Sequence, residues 1–139
     1  MNDAEYEAQK ARVEALFERW VGTIGLGWWR IQYVWHREES RDTDIDKDDV
    51  CMMDCRADWR YLHATINVYL PSIAEVDDTD YLEYLVVHEL MHIFLCELRD
   101  RKETDDDDED TAASDHEERV ATVLAKAMLW ARDAGMDAA

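Results

Sequence analysis

Apolar residues recur at intervals of three and four in the first part of the chain, which predicts an amphipathic helix over residues 3–21. The apolar positions of this pattern are Tyr6, Val13, Leu16, Phe17, Trp20 and Val21. Charged residues fill the intervening positions, as expected for a helix with one face in the core. Asn2 or Asp3 is suited to cap the start of this helix, and Gly22 to follow its end.

Three later segments are rich in aromatic and β-branched residues and predict β-strands over residues 28–36, 50–57 and 61–70. The third segment alternates most clearly, and its apolar face consists of Leu62, Ala64, Ile66, Val68 and Leu70. Pro71 should end this strand, because proline cannot donate a backbone hydrogen bond. The short connections favour an antiparallel meander, so we predict a three-stranded, mainly antiparallel sheet.

Two more helices are predicted in the second half of the chain. Residues 81–98 are apolar on nearly every face, which is typical of a buried central helix. Residues 115–134 form a last helix, with a predicted apolar stripe of Val120, Val123, Leu124, Ala127, Met128 and Ala131. Between them lies a strongly acidic segment at about 100–113, expected to be a mobile loop because it has almost no apolar residues. The predicted fold class is therefore α+β.

Composition limits the size and the partners of the protein. The chain has 139 residues, 47% of them hydrophobic, which fits a single domain over 1–139 with its own core. Its 34 acidic and 15 basic residues give a net charge of −19. This charge argues against direct binding of nucleic acid or an anionic membrane, since phosphate contacts need Lys and Arg. The same charge is compatible with a basic partner or with mimicry of a nucleic acid.

Compartment is predicted from three negative signals. No apolar run approaches the roughly 20 residues that a membrane span needs, and the acidic N-terminal segment lacks a secretory signal. Three cysteines, Cys51, Cys55 and Cys96, are too few for a disulfide framework and fit a reducing compartment. We expect a soluble, cytoplasmic protein.

The predicted buried helix contains His88-Glu89-Leu90-Met91-His92, an H-E-x-x-H motif. Residues four apart lie on one face of a helix, so the imidazoles of His88 and His92 can bind the same Zn²⁺ ion. Glu89 projects about 100° away and can act as the general base that takes a proton from water held at the metal. Burying these polar side chains without partners would cost several kcal/mol. A metal removes that cost, so we predict one Zn²⁺ per chain.

A third protein ligand is expected from the start of the last helix. Glu117 continues the predicted apolar stripe by one turn and is favoured as the ligand, with Glu118 expected in a supporting or solvent-facing position. Glu118 and His116 remain alternatives. Cys96 follows His92 on the same stripe but lies too far along the helix axis, so a place in the core is favoured. Tyr84, one turn before His88, could contact a substrate oxyanion or pack in the core.

These motifs resemble those of minimal zincin metallopeptidases. The H-E-L-M-H sequence, followed by a helix that opens at Glu117, is most similar to small phage and prophage proteins related to the ImmA/IrrE-like group. The resemblance covers about residues 28–130, and it implies that Glu117 is the third zinc ligand and that residues 64–68 belong to a substrate-side edge strand. A phage-encoded protein of this kind would act in the host cytoplasm.

Together these features predict a zinc-dependent metallopeptidase in which Glu89 is catalytic and His88, His92 and Glu117 bind the metal. The substrate would be a peptide or protein that pairs with the strand over residues 61–70 by β-augmentation. The alternative is a non-catalytic, zinc-containing acidic protein that binds a basic partner or mimics nucleic acid. Loss of function on removal of the Glu89 carboxylate would distinguish the two.

Overall fold

A computed structural model describes residues 1–40, 51–102 and 107–138. These residues form helices α1 (Asp3–Ile24), α2 (Leu70–Ala74), α3 (Thr79–Lys102) and α4 (Asp107–Ala138), and strands β1 (Arg30–His36), β2 (Met53–Asp58) and β3 (His63–Tyr69). The predicted α+β class is confirmed. The short helix α2 was not predicted from the sequence; it begins directly after β3, with Pro71 in its first turn.

Helix α1 is fixed at both ends by capping interactions. The side chain of Asn2 accepts a hydrogen bond from the backbone N–H of Glu5 at 2.8 Å, and the carboxylate of Glu5 accepts the backbone N–H of Asn2 at 3.0 Å. The helix passes through Gly22 and ends at Gly25, whose φ of 82° lies in the left-handed region. The prediction that Gly22 follows the end was therefore wrong, because Gly25 is the residue that adopts the terminating conformation.

The sheet is mixed, and its strand order is β1-β3-β2. Strand β3 pairs antiparallel with β2, starting from Asp58↔His63, and parallel with β1, starting from Arg30↔His63. The predicted antiparallel meander was therefore wrong. A parallel pair needs a long crossover, and the chain between β1 and β3 contains the whole of β2. Strand β3 is central, so both edges of its backbone are occupied. This contradicts the predictions that residues 64–68 belong to an edge strand and that a substrate pairs with the strand over residues 61–70.

Alternate residues of β3 supply the middle of the hydrophobic core. Ala64, Ile66 and Val68 are fully buried, whereas the residues between them are half-buried. The same core includes Phe17 from α1 and Leu90 from α3. Helix α3 is largely buried, as predicted, with Leu82, Val86, Val87, Leu90, Met91, Ile93 and Cys96 inside. This core fixes the rotation of α3 and thereby the direction of its H-E-x-x-H side chains.

Helix α4 packs on α3 through small residues. Ala121 and Ala125 are fully buried, whereas Val123 and Leu124 are 57% and 37% exposed. The predicted apolar stripe of this helix was therefore rotated away from the observed buried face. Alanines allow two helices to approach closely, so the buried face is marked by small residues and not by the most hydrophobic ones.

The connection between α3 and α4 is shorter than the acidic loop predicted at about 100–113. Helix α3 continues to Lys102 and α4 begins at Asp107, so residues 107–113 are helical, and residues 103–106 lie outside the described part of the chain. Acidic residue types are favoured at helix starts by the helix dipole, which explains why the low hydrophobicity of this segment did not prevent helix formation.

A buried carboxylate joins three helices on the side of the molecule formed by α1, α3 and α4. Glu83 is 4% exposed, and it accepts hydrogen bonds from the indole N–H of Trp20, at 2.7 Å, and from the guanidinium of Arg132. Arg19 lies 3.6 Å from the same carboxylate. These contacts fix α4 against α3 and so help to position the side chains that α4 presents near the H-E-x-x-H motif.

In the described residues, no helix is both long and apolar enough to cross a membrane.

Candidate metal centre

His88 and His92 point toward each other from consecutive turns of α3. Their Nε2 atoms lie 3.2 Å apart, and their ring centroids lie 5.0 Å apart in an edge-to-face arrangement. This is the geometry expected from residues four apart on one helical face. The prediction that both imidazoles converge on one point agrees with the structure.

The carboxylate of Glu118 completes the cluster from α4. Its Oε2 lies 3.1 Å from Nε2 of His88, and its Oε1 lies 2.9 Å from Nε2 of His92. One ligand atom from each of these three residues lies within 4.8 Å of the others. Two imidazole nitrogens and a carboxylate oxygen form a donor set that suits Zn²⁺. The residues present therefore fit a metal ion held by His88, His92 and Glu118.

The outer nitrogens of both imidazoles also have partners on α4. Oε1 of Glu117, whose side chain is buried, lies 3.0 Å from Nδ1 of His92. The hydroxyl of Thr122 lies 3.4 Å from Nδ1 of His88. When Nδ1 carries the proton and donates it to such a partner, the lone pair of Nε2 is directed toward the centre of the cluster. This arrangement is common around metal-binding histidines.

The structure differs from the predicted roles of Glu117 and Glu118. Glu118 was expected in a supporting or solvent-facing position, yet its carboxylate faces both inner nitrogens, whereas Glu117 contacts the outer nitrogen of His92. The third alternative, His116, is exposed and lies outside the cluster of described metal-binding groups. The physical reason is the packing of α4 through Ala121 and Ala125, which turns Glu118 toward α3.

Glu89 lies beside this cluster, between α3 and β2. Its burial raises the pKa of its carboxyl group to about 8; the positive charge of His92 opposes this shift, and the negative charges of Glu118 and Asp54 add to it. A carboxyl group with a pKa near neutrality is suited to both accepting and donating a proton. The position of Glu89 is therefore compatible with the predicted role of general base.

The charges of His92 and Glu118 are coupled. Burial alone would lower the pKa of His92, but its hydrogen bonds with Glu117 and Glu118 and the charge of Glu89 outweigh this effect and raise the pKa to about 10. The hydrogen bonds from His88 and His92 hold the pKa of Glu118 well below its usual range. At neutral pH the metal-free cluster thus holds a proton on His92, in a place where a metal cation could replace it.

Two cavities open on either side of Glu89. The one we call the acidic cavity has a volume of about 320 Å³ and is lined by Cys51, Met53, Asp54, Cys55, Glu89, His92, Glu117 and Glu118. The one we call the aromatic cavity has a volume of about 480 Å³ and is lined by Cys51, Met52, Met53, Tyr81, Tyr84, Leu85, His88, Glu89, Glu118 and Thr122. Strand β2 contributes to both walls, and its outer edge pairs with no other strand in the part of the chain described.

Tyr84 lies on the wall of the aromatic cavity, with its ring centroid 5.8 Å from that of His88 and 6.0 Å from that of Tyr81.

Cys96 is buried and its thiol contacts the backbone oxygen of Ile93 at 3.1 Å, which agrees with the predicted place in the core. Cys51 and Cys55 are half-buried beside the acidic cavity.

Sequence reasoning missed two residues near the cluster. Thr122 could not be predicted from the sequence, because a threonine within a helix does not indicate a contact with a histidine of another helix. Asp54 was hidden within a predicted strand, although an acidic residue among strand residues is itself unusual. Asp54 accepts hydrogen bonds from the side-chain amide of Asn67 at 2.8 Å and from the hydroxyl of Tyr69 at 3.0 Å.

Comparisons with known proteins do not identify a family for this arrangement. The chain matches no protein-family model, and neither a curated protein nor a solved structure is significantly similar to it. The resemblance to zincins therefore rests on the H-E-x-x-H motif and on the helix that follows it with Glu117, and it stays a prediction.

Proposed function

We propose that this protein is a zinc-dependent peptidase in which His88, His92 and Glu118 bind the metal and Glu89 is the general base. The observation that carries the proposal is the convergence of the three ligand atoms within 4.8 Å beside the half-buried side chain of Glu89. A purely structural metal site would need its ligands and no acid or base beside them. Here Glu89 lies beside the three proposed ligands, and it lines the two cavities in which a substrate could bind.

The surroundings of the cluster are open, as catalysis requires. The side chain of Glu118 is 58% exposed, and both cavities meet at Glu89 and Glu118. A structural zinc site is closed by four protein ligands, whereas a catalytic site keeps one position for water or substrate. The described residues supply three ligands, which leaves that position to water or substrate.

The chemistry follows from the positions of these groups. Bound zinc would supply Lewis-acid polarisation of a water molecule and of the substrate carbonyl. Glu89 accepts the proton of the attacking water as the new C–O bond forms, and it returns this proton to the leaving amine as the C–N bond breaks. Glu117 holds the ring of His92 through Nδ1, so that its inner nitrogen keeps one direction throughout.

The substrate path differs from the one predicted from the sequence. Because β3 is central, its backbone cannot accept another strand, whereas β2 borders both cavities and is at the edge of the sheet. A peptide that adds to the outer edge of β2 would lie along the strand that lines both cavities together with Glu89. We therefore assign peptide binding by β-augmentation to β2.

The test combines metal analysis with digestion of a diverse peptide library. The wild-type protein loaded with Zn²⁺ should cleave a subset of peptides, and Glu89→Gln should bind zinc equally well without cleaving them. Zinc binding without any wild-type cleavage would contradict a peptidase and favour the acidic binding protein. In that case, retention of a basic partner by Glu89→Gln would support binding as the function.

A further inference from the structure

Among the described carboxylates that line the acidic cavity, Asp54 alone has no part in the proposed catalytic arrangement. Glu89 is the proposed base, Glu118 a proposed ligand, and Glu117 contacts His92. Asp54 reaches the same cavity from β2, the strand to which we assign peptide binding. Its role must therefore be sought in the substrate or in the sheet.

The carboxylate of Asp54 is held in one orientation. Each of its oxygens accepts one hydrogen bond, from Asn67 at 2.8 Å and from Tyr69 at 3.0 Å. The Asn67 side-chain oxygen lies 2.9 Å from Nε2 of His36, and the rings of His36 and Tyr69 stack with their centroids 4.7 Å apart. A carboxylate oxygen can accept more than one hydrogen bond, so Asp54 keeps acceptor capacity for a further donor.

The charges around Asp54 define the kind of donor that fits. Among the described residues that line the acidic cavity there is no Lys or Arg, and half of the described residues that line the aromatic cavity are tyrosine, methionine or leucine. A basic side chain of a peptide lying along β2 would reach a preoriented carboxylate in the acidic cavity. A neutral donor would gain only an uncharged hydrogen bond, an apolar side chain would gain none, and an acidic one would be repelled.

We propose that Asp54 is a specificity-determining residue that selects peptides with Lys or Arg at a fixed position beside the cleaved bond. This inference rests on the proposed function and names its substrate class. A charged hydrogen bond in a partly buried site favours the basic side chain by about 10-fold or more over a neutral one of the same length.

The experiment determines the cleavage sites of the zinc-loaded wild type in a peptide library by mass spectrometry. We expect Lys and Arg to be enriched at one position, and a peptide with Lys there to be cleaved about 10-fold faster than its norleucine counterpart. Asp54→Asn should abolish this ratio and Asp54→Glu should retain it. The matched control, Asp58→Asn, changes another carboxylate of β2 that lies outside both cavities and should leave the ratio unchanged.

Two outcomes would overturn the inference: no basic preference in the wild type, or a preference that persists in Asp54→Asn. Should Asp54→Asn fail to fold, the preference of the wild type must still decrease at high salt, and a salt-independent preference would contradict the inference.

A binding measurement separates this inference from the proposed function. Zinc-loaded Glu89→Gln, with and without the additional Asp54→Asn change, is applied to an array of the same peptides. Preferential retention of Lys and Arg peptides that depends on Asp54 supports the inference even if the wild type cleaves nothing. Absence of both cleavage and such retention contradicts both proposals.

Discussion

Glu117 and Glu118 are neighbours in α4, yet they contact opposite nitrogens of the same imidazole. The carboxylate of Glu117 lies 3.0 Å from Nδ1 of His92, and that of Glu118 lies 2.9 Å from Nε2. Glu117 thus orients His92 from outside the cluster, whereas the carboxylate of Glu118 lies at the centre of the cluster beside Nε2 of His92.

Glu118→Ala should lower the affinity for zinc far more than Glu117→Gln does. The first change removes a proposed ligand, whereas the second leaves the ligands in place and removes only the partner of His92, which typically costs about 10–100-fold. Competition with a chromophoric chelator measures both affinities. The reverse order would restore Glu117 as the ligand and contradict the arrangement of α4 described above.

Metal content should be one Zn²⁺ per chain in the wild type and should be lost in His88→Ala and in His92→Ala. Each change removes one of two inner nitrogens that lie 3.2 Å apart. Elemental analysis after purification without chelators gives the stoichiometry. His63→Ala is a suitable control, since this histidine lies at the start of β3, outside both cavities.

Glu89→Gln should retain the fold and zinc but reduce peptide hydrolysis by about 10²–10⁴-fold, because an amide cannot accept the proton of water. Initial rates on a cleaved peptide, compared at equal zinc content, measure this loss. Hydrolysis at the wild-type rate would show that Glu89 is not the general base.

The metal-free protein should lose stability as the pH rises from mildly acidic to basic values. The folded state raises the pKa of Glu89 from 4.5 to about 8 and that of His92 from 6.5 to about 10, so it binds more protons than the unfolded chain in this range. The contribution of His92 is complete below pH 6.5 and is lost as the pH rises through about 10. Urea unfolding at a series of pH values, in the presence of a chelator, tests this.

Zinc should reverse this pH dependence, because protons and metal compete for the same histidine. The stabilisation by saturating zinc is therefore expected to increase between pH 6 and pH 8. A zinc effect that does not change with pH in this range would show that His92 does not exchange a proton for the metal.

Arg132→Ala should destabilise the protein by about 3 kcal/mol, since it removes a charged partner from the buried carboxylate of Glu83. The indole N–H of Trp20 would remain as a donor, and the guanidinium of Arg19 would remain 3.6 Å from the same carboxylate. Urea unfolding measures the loss. Arg12→Ala is the matched control, because Arg12 is half-buried and donates a hydrogen bond to the neutral side chain of Gln9 within α1, so it should change stability by much less than Arg132→Ala does.

Local patterns in the sequence predicted the parts of the candidate site that depend on one helix. The spacing of His88 and His92 determines that their rings meet, whatever packs around α3. Glu118 could not be chosen in the same way, because its direction depends on how α4 rotates against α3. Val123 and Leu124 indicated one rotation by their hydrophobicity, whereas the smaller Ala121 and Ala125 are the residues that the packing buries.

Strand order was beyond prediction for a related reason. The alternation of Ala64, Ile66 and Val68 indicates which face of β3 is buried, but it contains no information about the neighbour on each edge. Both an edge and a central position satisfy that pattern. The position of β1 is decided by long-range pairing, which also moves the proposed peptide-binding edge from β3 to β2.

The central position of β3 has a consequence for the order in which the protein folds. β2 and β3 are joined by a short connection and can form a hairpin at little entropic cost, whereas β1 pairs with β3 only after a much longer loop has closed. The hairpin should therefore form early and offer β1 a prepared edge. The hydrogen bonds of Asp54 with Asn67 and Tyr69, which join β2 to β3, would then form before β1 completes the sheet.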